Sequence, residues 1–158
     1  MRERTILVTG GAGFIGSHIV EDLVHAGYDV TVLDDFSSGH RENLEAVAGD
    51  IRLIEGDVRD PDTLAHAMKG MRFVSHMAAQ LEIVRCVKDP LADLDANTVA
   101  TLRVLEAAVD AGVEKLVNAS SACVYGQAQH TPPTTSSPTA RSRSPGVAFA
   151  ARPRPRRR

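Results

Sequence analysis

The stretch TGGAGFIGSH carries glycines at positions 10, 13 and 16, directly after the β-branched run TILVT and at the head of a helical pattern. Three glycines at that spacing, in that context, can cradle a pyrophosphate. Gly10 permits the tight turn that leaves a strand, and Gly13 removes a side chain where phosphate oxygens approach the backbone. Gly16 lets the helix pack closely. The phosphates then meet unpaired N–H groups and the positive end of a helix dipole. A glycine-rich turn that binds nothing is the plain alternative. The second candidate is Asp34-Asp35, which ends the next β-branched run, DVTVLD. A carboxylate at that strand end, Asp34 first, accepts both ribose hydroxyls of an adenosine and repels a 2′-phosphate, which favours NAD over NADP. A loop acid or helix cap is the alternative there. Arg41 could serve a 2′-phosphate, but it reads better as the exposed face of a helix beginning RENLEAV. The third candidate is SSACVYG, Ser120 to Gly126. Ser121 follows an apolar run and is either a catalytic hydroxyl or a turn serine. A catalytic hydroxyl needs a base, yet the last lysine is Lys115 and the last tyrosine is Tyr125.

These residues need elements to place them. Five β-branched runs (5–9, 29–34, 51–55, 72–76 and 115–119) alternate with segments of helical spacing. Phe14, Ile15, Ile19, Leu23 and Val24 form one apolar face that stops before Gly27. Asp60-Pro61 and Asp89-Pro90 each read as a capping carboxylate followed by proline at the first helical position. The second opens a helix over about 90–111 that stops before Gly112. Strands alternating with helices in this way imply βαβ units and an α/β, Rossmann-like, doubly wound parallel sheet. The expected order is 3-2-1-4-5, with the ligand crevice at the carboxyl ends of strands 1 and 4. The expected core is Ile6, Leu7, Val8, Val30, Val32, Leu53, Val74, Leu102, Leu105, Leu116 and Val117.

Composition bounds the rest. The chain has 158 residues and is 43% hydrophobic, enough for one domain with its own core. No stretch approaches the roughly 20 apolar residues of a membrane span. The N-terminus turns into a strand pattern at once, without an apolar signal region, so a cytoplasmic location is expected. Cys86 and Cys123 have no metal-ligand spacing and read as free thiols; no metal site is expected. The net charge of -2 hides an asymmetry: all 20 acidic residues lie in 1–130, while 131–158 holds seven arginines, six prolines and no acid. That segment has no period and too little apolar surface to order itself, so it is expected to be a disordered basic tail beside a domain at 1–130.

Taken together, TGGAGFIGSH (9–18), VLDDFSSGHRENL (32–44), EGDVRD (55–60), HMAAQ (76–80), Asn97 and SSACVYG (120–126) resemble the NAD-dependent epimerase/dehydratase family of extended short-chain dehydrogenases/reductases. The narrower likeness is to members that act on nucleotide sugars, UDP-sugar 4-epimerases above all. The resemblance implies NAD as cofactor, held by Gly10, Gly13, Phe14, Ile15, Gly16 and Asp34. It places adenine at Asp57 and Val58, and the pyrophosphate and nicotinamide ribose at Met77, Ala78 and Ala79. Asn97 would brace the loop under the active site, against the alternative of a polar residue on a solvated helix face. Ser121 would hydrogen-bond the sugar hydroxyl being oxidised. Leu81 stands where many sugar epimerases of this type carry a lysine. A homodimer through the 90–111 helix is implied as well.

The same stretch bears on the reaction. Sugar dehydratases of the family carry an Asp-Glu pair after the hydroxyl residue, whereas Ala122-Cys123 cannot serve as carboxylate acid and base. Epimerisation at C4 needs neither, because the cofactor carries the hydride chemistry and the protein orients it. The family's base, a tyrosine in Tyr-x-x-x-Lys, is missing: the corresponding positions hold Gly146 and Ala150. The chain as written is therefore expected to be an inactive N-terminal part of such an enzyme, or a module that binds or senses NAD without turnover. A change of reading frame in a GC-rich gene would produce the Pro/Arg-rich string, and the coding DNA past codon 131 would then encode Tyr-x-x-x-Lys in another frame. A genuine basic tail that binds nucleic acid or anionic membrane nonspecifically is the alternative.

Overall fold

The structure, a computed structural model, describes residues 4–121. The expectations made for Ala122, Cys123, Tyr125 and 131–158 lie outside the described residues.

Five parallel strands form one sheet in the order β3-β2-β1-β4-β5. They are β1 (Thr5–Thr9), β2 (Asp29–Asp34), β3 (Ile51–Glu55), β4 (Phe73–His76) and β5 (Lys115–Asn118). The order is the one expected from the alternation of textures. Because the chain winds away from β1 in both directions, the carboxyl ends of β1 and β4 border a crevice.

The connections explain their own ends. Helix α1 (Phe14–His25) closes at Gly27, which has φ of 79°. The Gly27 amide donates to Val24 O and the Tyr28 amide to Leu23 O, so a left-handed glycine satisfies two terminal carbonyls. Gly112 ends helix α5 (Ala100–Asp110) in the same way, with Val113 donating to Ala108 O. Helix α2 (Pro61–Met68) begins at Asp60, whose carboxylate accepts from the Asp62 and Thr63 amides. The segment expected as one helix after Asp89 is α4 (Pro90–Asp93), a π-helical stretch (Leu94–Val99) and then α5. RENLEAV is a 3-10 helix, Arg41–Val47, and a short helix α3 (Ile83–Lys88) precedes Asp89.

The core has two layers, one on each face of the sheet. Leu7, Leu33, Val74 and Leu116 pack against Leu64 and Met68 of α2 and Val104 and Ala108 of α5. Ile6, Val8, Val30 and Val32 pack against Val20 of α1 and Leu44 and Val47 of the 3-10 helix. Three residues expected in the core are not there: Leu53, Leu102 and Val117 are 37%, 55% and 48% exposed. Leu53 and Val117 stand on the two edge strands, where cover is thinnest. On α5 the buried stripe is Ala100, Val104 and Ala108, and Leu102 lies off it. Leu105 only flanks the core. Among the described residues no helix is long and apolar enough to cross a membrane.

Leu64 joins α2 to both the sheet and α5 and is 1% exposed. Leu64→Ala is expected to lower the free energy of urea unfolding by about 3 kcal/mol. A loss below about 1 kcal/mol would show that α2 contributes little to this core.

Candidate functional site

At the carboxyl edge of the sheet, one groove runs past the ends of β1, β2, β3 and β4. Its walls include Gly10, Gly13, Asp34, Asp57, Val58, Met77, Ala78 and Ala79. The backbone dictates the glycines. Gly10 has φ of 67°, and a Cβ there would lie 2.6 Å from the Ala78 amide nitrogen. At Gly16 a Cβ would lie 2.0 Å from Gly10 O, so this residue packs α1 onto the turn that precedes it. Around Gly13, only Gly10 O comes within 4 Å of an added Cβ, leaving the approach to the helix start open. Gly13 is also the N-cap of α1 and supplies no side chain to the first-turn amides. Phe14 and Ile15 are exposed, 81% and 65%, and point away from the core. Neither is among the residues that line the groove.

Asp34 is buried at the end of β2. Its Oδ2 accepts from the Ala12 amide at 2.8 Å and its Oδ1 from the Phe36 amide at 2.9 Å. These bonds offset the cost of burying the charge and leave each oxygen a further lone pair. Gly39 passes so close that a Cβ there would lie 2.9 Å from Asp34 Oδ1. Asp57 is held by Arg59, whose Nε and Nη2 donate to Oδ2 at 2.9 and 2.6 Å. That hydrogen-bonded guanidinium keeps the Asp57 carboxyl below its usual range, against the opposing pull of partial burial. Arg59 also reaches Asp95 at 3.4 Å, tying the loop after β3 to the long helix.

The remaining expected residues stand apart from the groove walls. Asn97, in the π-helical stretch, accepts from the Gln80 amide at 2.8 Å and donates to Gln80 O and Asp93 Oδ1. Ser121 is exposed, three residues past the end of β5. Sequence reasoning missed several groove residues: Ser37, Ser38, Gly39, Arg59, Gln80, Arg85 and Cys86. The turn-rich DDFSSG was the available signal for the first three. Cys86 is a free thiol whose pKa is pushed up by its hydrogen bond to Asp93. Also missed was His76, the last residue of β4. It is 2% exposed, with its ring between the Thr9 and Thr101 hydroxyls.

An uncapped helix start beside an open glycine turn suits an anion, and a buried carboxylate at the next strand end suits a diol. Among the described residues no group of three His, Cys, Asp or Glu side chains could hold a metal ion.

Comparison with known proteins fits that geometry. Residues 6–151 match the NAD dependent epimerase/dehydratase family. The chain belongs to this family. Among curated members it is 44% identical over 131 residues to UDP-glucose 4-epimerase of Mycolicibacterium smegmatis, covering 80% of this chain and 41% of that protein. It is 40% identical over 129 residues to a putative UDP-glucose 4-epimerase of Methanocaldococcus jannaschii, again covering 80% and 41%. Among solved structures, Thermus thermophilus UDP-glucose 4-epimerase in complex with NAD matches with a TM-score of 0.71 and 42% identity. That match covers 87% of this chain and 47% of the other. An epimerase from Methanothermobacter thermautotrophicus gives a TM-score of 0.75 at 37% identity, covering 83% and 39%. The chain spans about two fifths of the length of the curated epimerases it matches.

In this epimerase-family domain His76 sets an acid limit. Burial lowers its pKa from 6.5 to about 4. The unfolded chain therefore takes up a proton at His76 as pH falls below 6.5, while the folded chain resists until about 4. Stability is full above that window and falls through it, by about 3 kcal/mol from this residue alone. Urea unfolding of wild type and His76→Gln between pH 7 and 4.5 checks this. The variant is expected to lose less stability across the window than the wild type, and equal slopes would contradict it.

Proposed function

We propose that residues 4–121 bind NAD and form the cofactor-binding part of a nucleotide-sugar 4-epimerase. The observation that carries this reading is the groove, in which the uncapped start of α1 and the buried Asp34 carboxylate share one wall. Pyrophosphate fits at Gly13 and the amides of Phe14, Ile15 and Gly16. The adenosine ribose fits at Asp34, with adenine toward Asp57 and Val58. Met77, Ala78 and Ala79 then flank the nicotinamide side, and Asn97 acts through Gln80, which it grips at both N and O. Relatives support the choice of ligand: the Thermus thermophilus structure is a complex with NAD, and that of the Bifidobacterium longum UDP-glucose 4-epimerase is a complex with NAD+ and UDP. We read 1–130 as this domain and 131–158 as a basic tail.

NAD, when bound, supplies the acceptor and donor of a hydride. The protein's part is to orient the sugar and to hold or move its hydroxyl proton. Ser121 is the hydroxyl proposed to hydrogen-bond the sugar, from the carboxyl edge of β5. The tyrosine-lysine pair that would take the proton is absent from these 158 residues. That absence favours binding without turnover by this chain. The exposed Leu91, Leu94, Leu102 and Val109 along the 90–111 helix support pairing with a second copy or with a further segment.

Calorimetric titration of the 158-residue chain is expected to show saturable NAD binding. Asp34→Ala should weaken it by about tenfold or more, the loss of charge-assisted hydrogen bonds to two hydroxyls. Gly16→Ala should abolish it, because its Cβ would collide with Gly10 O. No turnover of UDP-glucose or UDP-galactose is expected from the same chain. Absence of binding at millimolar NAD would sink the cofactor reading, and detectable epimerisation would overturn the expectation of inactivity.

A further inference from the structure

Three separate segments meet around one imidazole. Thr101 Oγ1 donates its only proton to Asn97 O, at 2.6 Å. His76 Nε2 lies 3.2 Å from Thr101 Oγ1, so the ring nitrogen must be the donor in this contact. A neutral ring protonated at Nε2 has a bare Nδ1. Thr9 Oγ1, 2.6 Å away, therefore donates to Nδ1. The Thr9 oxygen is then left to accept from the Ala78 amide at 3.4 Å. The polarity runs one way, from Ala78 N–H through Thr9, His76 and Thr101 to the Asn97 carbonyl. Beyond it, the Asn97 side chain holds Gln80 at both N and O.

We propose that His76 is a positioning residue for the groove, a neutral Nε2-protonated imidazole whose relay fixes the turn after β1 and the loop after β4 against the long helix. One end of the relay, Ala78, is a groove wall, and the other end, Asn97, holds a second, Gln80. Thr9 precedes Gly10, and Ala78 and Gln80 line the opposite lip. No buried polar side-chain atom among the described residues lacks a partner, and the direction of the relay follows from the Asn97 carbonyl, which can only accept. Protonating the ring would turn Nδ1 into a donor facing Thr9, and the Thr9 hydroxyl would have to turn its own proton away from the ring. The burial that depresses the His76 pKa acts against that event. The π-helical turn has a purpose in this scheme: it carries Asn97, which meets the relay through its carbonyl and the loop through its amide.

The consequence for binding rests on reading the groove as a dinucleotide site. The relay touches the lip assigned to pyrophosphate and nicotinamide ribose, not the adenosine end at Asp34. Thr101→Val in the full chain is therefore expected to weaken NAD binding about tenfold while leaving AMP binding unchanged, and Thr101→Ser is expected to restore NAD binding. NAD binding unaffected by Thr101→Val, or NAD and AMP weakened together, would overturn the positioning role. The tautomer is tested without any nucleotide, by the ring ¹⁵N shifts of His76 in the unsubstituted chain. An Nε2–H signature that persists from pH 7.5 to 5 is expected. An Nδ1–H ring, or one that titrates like a free imidazole, would overturn the relay. If the chain bound no NAD but kept the Nε2–H signature, the cofactor reading would fail and the relay would stand.

Discussion

The backbone of the turn after β1 touches the backbone of the loop after β4, and the rest of the groove depends on that contact. A side chain at position 10 would put its Cβ inside the Ala78 amide, and φ of 67° at Gly10 disfavours any L side chain as well. The contact exists because β1 and β4 are sheet neighbours although most of two βαβ units separate them in sequence. It brings the start of α1 and the loop Met77–Gln80 to one place. Gly16 then sets α1 on the same turn, since only a hydrogen fits beneath Gly10 O at that point. One choice of topology thus dictates two glycines and the position of the helix dipole.

Polar groups stabilise this arrangement from below and from the sides. Asp34, though buried, has both carboxylate oxygens hydrogen-bonded, one to an amide of the turn after β1 and one to an amide of the turn after β2. Arg59 joins Asp57 to Asp95, and Arg103 of α5 donates to Arg59 O, so the loop after β3 is anchored on the long helix. His76 and Asn97 do the same for the loop after β4. Both loops that flank the groove are therefore held by one helical segment, which is π-helical where Asn97 sits.

The fold was legible because its signals are local. β-branched runs, Asp-Pro caps and glycines after helical stretches each follow from short-range chemistry, and the order of strands follows from the doubly wound pattern that the glycine turn marks. The exposed Leu53 and Val117 were not legible, because an apolar run reads alike on an edge strand and on a central one. Leu102 was misplaced because the apolar face of α5 is wider than the stripe it buries. At the site, Gly10, Gly13 and Asp34 carry strong local patterns. His76 carries none, since a histidine at the end of a strand owes its neutrality to burial in the fold and its ring contacts to Thr9 and Thr101, both distant in sequence. Gln80 and Arg59 escaped for the same reason: their partners, Asn97 and Asp95, lie on a helix whose approach sequence periodicity does not reveal.

The central claim is that the glycine turn and the open start of α1 receive a pyrophosphate. Amide ¹H–¹⁵N shifts recorded while NAD is added to the chain test it most directly. The account predicts that the largest changes fall on Gly13, Phe14, Ile15 and Gly16, with a second set at Ala78 to Gln80. Changes confined to α2 and α5, with the amides of Gly13 to Gly16 unmoved, would contradict it.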